Sequence, residues 1–285
     1  MHPKRNPLLV TVVAVALGLV IAAVGVFPWT VFAGLNARFW PRVPWSLPAG
    51  LVCLGLFWTY LNGKGWPHSS SLNRHRLLRA LRLSGPTAIW SVSAGAIAFV
   101  TLVAIYLTAI QFVDLPPDAF RPRSVAALSL SLLVPVLIMN AIVAGVAEEA
   151  AYRGYMQGIL ERRVSAPFAI AIVTIVFTVV HLFGGIKIFP LAIPVCAASV
   201  VLGVLTAITR SILPAIVVHV LVDSATLPLE WGLVGRLPVG RFQAHGLDTF
   251  FVAGAAVAVV CSLALVAALI KLSRVARVQV ATNVA

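Results

Sequence analysis

Long apolar runs recur along the whole chain. Seven of them contain no Asp, Glu, Lys or Arg, and an eighth is broken only by Asp223 and Glu230. The seven cover residues 6–37, 43–63, 83–113, 124–147, 164–186, 188–209 and 249–270, and the eighth covers 211–233. A membrane-crossing helix needs about 20 mostly apolar residues, because the hydrocarbon core is about 30 Å thick and each residue rises about 1.5 Å. The sequence therefore predicts about eight transmembrane helices.

Composition supports the same fold class. Of the 285 residues, 61% are hydrophobic and only 10% are charged, and the mean hydropathy is +1.03. Soluble domains have about a quarter of their residues charged. We predict an all-α polytopic membrane protein that forms one transmembrane domain over residues 1–285. The apolar stretch from Leu8 to Phe27 exceeds the roughly 7–15 residues of a signal-peptide core, so we expect an uncleaved first helix.

The basic residues predict the orientation in the membrane. The net charge is +13, but the Lys and Arg residues flank the apolar runs and form no separate basic domain, which argues against a nucleic-acid partner. With the N-terminus inside, fourteen of the 21 basic residues fall in inner segments and seven in outer loops. This bias is typical of the positive-inside rule. It predicts an even number of spans with both termini in the cytoplasm.

Three carboxylates lie where a membrane helix should be apolar. The chain has eight acidic residues, and Glu148, Glu149 and Asp223 fall inside the predicted spans, away from their ends. A charged residue there costs at least about 2.5–3.5 kcal/mol on insertion scales. Such residues mark a functional site by default. The outer-loop acids, among them Asp114 and Asp118, carry no such implication.

Two of the six histidines, His181 and His219, also fall inside apolar runs. Counted from the inner ends of their helices at about 1.5 Å per residue, Glu148, His181 and Asp223 all lie roughly 20 Å deep. His219 and Asp223 are four residues apart and share one face of their helix. The sequence therefore predicts that groups from three helices meet at one site within the bilayer.

Arg153 lies four residues after Glu149, so the two side chains can form an ion pair that lowers the free energy of burying the glutamate. Three carboxylates against this arginine leave a charge of −2, which a low-dielectric site does not hold unaided. One remedy is a divalent cation such as zinc, for which His181 and His219 are candidate ligands. The other is protonation of the carboxylates.

Both remedies lead to hydrolysis, because either a bound metal or a Glu–His pair can activate water. The sequence contains neither a His-Glu-x-x-His pattern nor a Gly-x-Ser-x-Gly turn, and only one aspartate lies within a span, too few for an aspartyl dyad. A glutamate–histidine arrangement is the type of intramembrane protease that remains.

The motifs resemble those of the CPBP (Abi) family, a bacterial and archaeal group related to the type II CAAX prenyl endopeptidases. Residues 148–154 read EEAAYRG, which resembles the family's EExxxR motif. Phe177 to His181 match its FxxxH motif, and His219 to Asp223 match its third motif, HxxxN or HxxxD. The three motifs occur in the family's order, and the resemblance covers a catalytic core of roughly residues 120–230.

The resemblance implies an intramembrane endopeptidase of the prokaryotic cell membrane, acting on a membrane-anchored peptide or protein. By this resemblance Glu148 is the general base and Glu149 supports it and pairs with Arg153. His181 binds the metal or the attacking water, and His219 and Asp223 complete the site as ligands or oxyanion stabilisers. Phe177 sets the angle of His181 by packing. The family leaves open whether the enzyme uses zinc or is a glutamate-type protease.

Two other functions fit the same residues. A scaffold or immunity protein could retain the fold without proteolysis. A proton or ion transporter could use intramembrane carboxylates and histidines as a relay, although a relay needs polar groups at several depths.

Overall fold

The computed structural model describes residues 7–83, 85–113, 128–184, 189–231 and 237–282. In these residues the regular structure is helical throughout, with no strand. The helices are α1 (Pro7–Phe39), α2 (Ser46–Leu61), α3 (Ser71–Leu78), α4 (Gly85–Ala109), α5 (Leu130–Glu148), α6 (Gln157–Leu160), α7 (Ala166–Gly184), α8 (Phe189–Thr209), α9 (Leu213–Glu230), α10 (Arg241–His245) and α11 (Thr249–Thr282), with a π-helical segment (Glu149–Met156) between α5 and α6.

Six described helices are long and apolar enough to cross a membrane, and two shorter apolar helices accompany them. The six spans are Leu8–Phe39, Gly85–Phe112, Leu130–Leu160, Pro190–Thr209, Leu213–Glu230 and Thr249–Val278, and the shorter helices are Ser46–Leu61 and Ala166–Leu182. The chain is an all-α, multi-pass membrane protein, as predicted. The count of eight crossings stays a prediction. Asp114 and Asp118 lie outside the described residues.

Large apolar side chains cover the outside of the bundle, while several charged and polar groups are buried within it. Leu8 and Val92, for example, are 69% and 73% exposed, whereas Glu149, Arg153 and Gln157 are fully buried. In water this distribution would expose an extensive apolar surface to solvent. In a bilayer it places apolar side chains against lipid and satisfies polar groups inside the protein.

Close packing of α5 against α9 brings together the two helices that carry Glu148 and His219. A Cβ atom added at Gly145 would lie 2.5 Å from Cγ2 of Val220 and 3.2 Å from the Val220 backbone nitrogen. Only a residue without a side chain fits here, as is common where membrane helices approach closely. Gly145 therefore sets the spacing of the two helices one turn before the glutamates.

We expect Gly145→Ala to lower the free energy of unfolding by about 1–3 kcal/mol, because the added methyl group overpacks the α5–α9 contact. Thermal unfolding in detergent micelles measures the effect. Gly55→Ala is the matched control, because a Cβ at Gly55 meets nothing within 4 Å. There the alanine should be neutral or stabilising by up to about 1 kcal/mol, since glycine is a poor helix former. Equal effects of the two substitutions would contradict the packing argument.

Candidate active site

The structure brings the predicted site residues together from three parts of the bundle. Glu148 ends α5 and Glu149 begins the π-helical segment, His181 lies on α7, and His219 and Asp223 lie on α9. Nδ1 of His219 lies 2.8 Å from Oε1 of Glu149, and its Nε2 lies 3.6 Å from Oδ2 of Asp223. Nε2 of His181 lies 3.8 Å from Oε2 of Glu148. The five side chains therefore form one cluster, while their chemical roles stay predictions.

Glu149 is the buried anchor of this cluster. Its Oε1 accepts a hydrogen bond from Nη1 of Arg153 at 2.8 Å and another from Nδ1 of His219, also at 2.8 Å. The side chains of Glu149 and Arg153 are both fully buried. Because the carboxylate accepts from Nδ1, it orients the His219 ring and directs Nε2 towards Asp223. The buried Glu149 thus contacts Arg153 and His219, and its chemical role stays a prediction.

The π-helical segment begins at Glu149, directly after Glu148 at the end of α5. It runs for eight residues from Glu149 to Met156, whereas most π-helical turns are short insertions in α-helices that mark functional sites. Gly154 lies against the C-terminal end of α3: a Cβ there would come within 3.1 Å of the carbonyl oxygens of Leu77 and Leu78. The π-helical segment is therefore packed against α3. Glu149 at its start is fully buried, whereas the side chain of Glu148 is partly exposed.

Phe177 joins the buried arginine to the second histidine. Its ring centroid lies 4.2 Å from that of His181, and the guanidinium carbon of Arg153 lies 4.5 Å from the Phe177 centroid. Tyr152 meets the same ring edge-to-face at 5.0 Å. The Phe177 carbonyl oxygen accepts a hydrogen bond from Nδ1 of His181 at 2.8 Å, so Nε2 of His181 is left to face Glu148. These contacts are those expected of a residue that sets the angle of His181.

A cavity of about 330 Å³ opens on the cluster. Glu148, His181, His219 and Asp223 line it together with apolar side chains such as Leu102 and Val195. A volume of this size suits a small peptide segment or ligand. Oε2 of Glu148 is buried in the protein and has no hydrogen-bond partner among the described residues. A buried carboxylate oxygen without a partner is unfavourable, so this atom is suited to accept a proton from water or substrate.

Four further polar residues line the same cavity, and the sequence did not single them out: Tyr106, Asn140, Thr226 and Glu230. Tyr106 donates a hydrogen bond from its hydroxyl to Oε1 of Glu230 at 2.8 Å. Asn140 accepts one from Nε1 of Trp29 at 3.1 Å. From sequence, Glu230 was placed only near the end of a span. The signal for Asn140 was available, since it is an amide within an otherwise apolar run.

Zinc ligation remains a prediction. In both histidines Nδ1 lies 2.8 Å from an oxygen acceptor. In their neutral forms they would therefore carry the proton on Nδ1 and keep the Nε2 lone pair for a metal, which is the tautomer that metal-binding histidines usually have. In the described part of the chain, however, no group of three or more His, Cys, Asp or Glu side chains is placed to hold a metal ion. The types of donor fit zinc, but their placement does not bring enough of them to one point.

The part of the chain that carries the candidate site matches a known family. Residues 130–225 match the family described as type II CAAX prenyl endopeptidase Rce1-like. The chain contains an Rce1-like domain. The match spans Glu148 to Asp223, and it confirms the resemblance seen in the three motifs. The description of that family names an endopeptidase, which is a class of hydrolase.

The curated relatives include the uncharacterized transporter Rv1999c of Mycobacterium tuberculosis and the uncharacterized transporter Mb2022c of Mycobacterium bovis. Each is 29% identical over 122 residues, which is 43% of this chain. The matched segment spans only 26% of each relative's length. No solved structure matches the chain.

Proposed function

We propose that the chain is an intramembrane endopeptidase that hydrolyses a peptide bond with water activated by Glu148 and His181. The observation that carries the proposal is the placement of the unpartnered Oε2 of Glu148. It lies 3.8 Å from Nε2 of His181, at a cavity that His219 and Asp223 also line. This separation is too long for a direct hydrogen bond and suits two groups that share a water molecule.

The first chemical step follows from this placement. The water donates one hydrogen bond to Oε2 of Glu148 and one to Nε2 of His181. Glu148 removes a proton as the water oxygen attacks the carbonyl carbon of the substrate, and the carbonyl π electrons move onto its oxygen. When the C–N bond breaks, Glu148 returns the proton to the leaving amine.

We propose that His219 stabilises the oxyanion of this intermediate. Protonated at both nitrogens, His219 donates Nδ1–H to Glu149 and offers Nε2–H to the developing negative charge. Asp223, 3.6 Å from Nε2, supplies the compensating negative charge. Arg153 balances Glu149 and needs no contact with substrate.

The substrate class follows from the location of the cavity. Since the lining residues lie on membrane helices, a peptide must reach them from within or along the bilayer. We propose a membrane-anchored peptide or protein as substrate. We also propose the prokaryotic cell membrane as the location, with both termini in the cytoplasm.

A zinc-assisted reaction is the second candidate, and the observation that favours it is the free Nε2 of each histidine. In that case His181 and His219 would bind the ion, which would supply an activated water. The placement of the described donors favours the metal-free reaction.

The full chain in liposomes is expected to release fragments from membrane-anchored peptides, with mass spectrometry locating the bond that is cut. We expect cleavage to persist after treatment with phenanthroline, and the purified protein to hold well below one metal ion per chain by elemental analysis. Stoichiometric zinc, together with loss of cleavage on chelation and recovery on adding zinc, would establish the second candidate instead.

A further inference from the structure

A second concavity lies at one end of the bundle, apart from the catalytic cavity. Its volume is about 800 Å³, and it shares no lining residue with the catalytic cavity. Three arginines line it from three different segments: Arg82 before α4, Arg210 between α8 and α9, and Arg277 on α11. Three separate segments therefore present positive charge to one space.

Among the described residues, these arginines have no carboxylate to pair with. All three are exposed, and no carboxylate of the described residues lies within ion-pair distance of any of them. By contrast, Arg79 and Arg153 each contact a carboxylate oxygen at 2.8 Å. The charge at the concavity is thus available to an anion from outside the chain.

The backbone at Arg210 indicates that its side chain is needed there. Arg210 follows the last residue of α8 with φ of 56°, the left-handed conformation that glycine adopts most readily. Arg79 adopts a similar φ of 55°, but its side chain is used in the ion pair with Glu161. Arg210 has the same conformational disadvantage with no ion pair among the described residues, so helix termination alone does not explain an arginine here.

Hydrogen bonds hold the segments of Arg82 and Arg210 together. The backbone N–H of Ile212 donates to the Arg79 carbonyl oxygen at 3.0 Å, and the Ser211 hydroxyl donates to the Leu81 carbonyl oxygen at 2.6 Å. The two arginines therefore project from connected, fixed backbone. Two guanidinium groups carried by fixed backbone suit a phosphate, whose oxygens can accept two hydrogen bonds from each.

Apolar side chains form the larger part of the walls of the concavity. Leu83, Ile170, Val204 and Ile208 line it beneath the arginines. A free phosphate ion gains nothing from such walls, whereas a phospholipid places its phosphate against arginines and its acyl chains against apolar side chains. Basic pockets between membrane helices are known to take lipid head groups in this way.

We propose that this concavity binds the phosphate group of an anionic phospholipid, with Arg82, Arg210 and Arg277 as its ligands. The proposal does not depend on the proposed peptidase activity. Each basic residue near an anionic lipid surface contributes a factor of about five in affinity. Three together should favour an anionic over a zwitterionic lipid by at least about tenfold.

Native mass spectrometry of the full chain, titrated with phosphatidylglycerol or phosphatidylcholine, tests the proposal. We expect one phosphatidylglycerol to bind at least about tenfold more tightly than phosphatidylcholine. The triple variant Arg82→Gln, Arg210→Gln, Arg277→Gln should lose this preference. The control Arg76→Gln, Arg162→Gln, Arg163→Gln removes the same charge from exposed residues outside the concavity and should keep it.

The variant Arg210→Gly distinguishes the contribution of the Arg210 side chain to lipid binding from the effect of its left-handed backbone on stability. Glycine relaxes the left-handed residue, so the variant should unfold at the same or a higher temperature while binding phosphatidylglycerol about fivefold more weakly. It also covers the case in which the triple variant fails to fold. Unchanged lipid affinity in Arg210→Gly, or equal losses in the two triple variants, would overturn the proposal.

Inorganic phosphate distinguishes the source of the anion. Retention of phosphatidylglycerol in excess phosphate supports the lipid. Displacement by phosphate alone would overturn the lipid assignment in favour of a free phosphate anion.

Discussion

Replacing Glu148 with glutamine is expected to reduce peptide hydrolysis by about 10²–10⁴-fold, because an amide cannot accept the proton that water must lose. Glutamine has nearly the shape of glutamate, and Glu148 takes no part in the buried Glu149–Arg153 pair. We therefore expect normal insertion and an almost unchanged unfolding temperature. Fragment release from membrane-anchored peptides in liposomes, followed over time, measures the rate.

Glu161→Gln is the matched control for this substitution. Glu161 is a carboxylate of the turn that follows α6, and it contacts Arg79 at 2.8 Å, away from the cavity. Its loss should leave the hydrolysis rate near that of the wild type. Wild-type hydrolysis in Glu148→Gln would show that this glutamate is not the base.

The variants Glu148→Gln and Glu161→Gln also test whether the protein is a proton transporter. Glu230 lies seven residues after Asp223 on α9, so the polar lining of the cavity extends about 10 Å beyond the catalytic cluster. This extension of the polar lining favours a proton path. If no peptide is cleaved by the wild type while proton flux in liposomes is lost in Glu148→Gln alone, transport replaces proteolysis as the function.

The sequence could predict that these helices meet because charge burial in a membrane has few solutions. Glu148, Glu149 and Asp223 could not face lipid, so they had to face partners within the bundle. The spacing of four residues between Glu149 and Arg153 also identified a pair that the structure places at 2.8 Å. Local rules of burial and helical spacing were enough for these features.

Contacts across helices were beyond such rules. The sequence paired Glu149 with Arg153 and His219 with Asp223, whereas the structure also joins Glu149 to His219 at 2.8 Å. By uniform α-helical counting, Glu149 lay about 6 Å deeper than His219. The π-helical segment and the turn after Leu160 do not have the rise per residue of an α-helix, and the spacing of the residues in the sequence does not predict either of them. The Tyr106–Glu230 bond joins residues 124 positions apart and depends on the same unpredictable register.

Arg153→Met is expected to have the largest effect on stability, lowering the free energy of unfolding by about 3–5 kcal/mol. Arg153 and Glu149 are both fully buried, so removing the arginine leaves a carboxylate without its counter-charge. Methionine keeps much of the side-chain volume and can still pack on Phe177. Unfolding in mixed micelles, compared with the wild type, measures the loss.

The double variant Glu149→Gln, Arg153→Met tests whether Arg153 is structural or catalytic. With no buried charge left uncompensated, most of the lost stability should return. The glutamine carbonyl oxygen can still accept the hydrogen bond from Nδ1 of His219, so the ring keeps its orientation. If Arg153 acts only through Glu149, the double variant should also regain hydrolysis relative to Arg153→Met. Recovery of stability without recovery of hydrolysis would instead show that the reaction needs the charges of the Glu149–Arg153 pair themselves, and not only their mutual compensation.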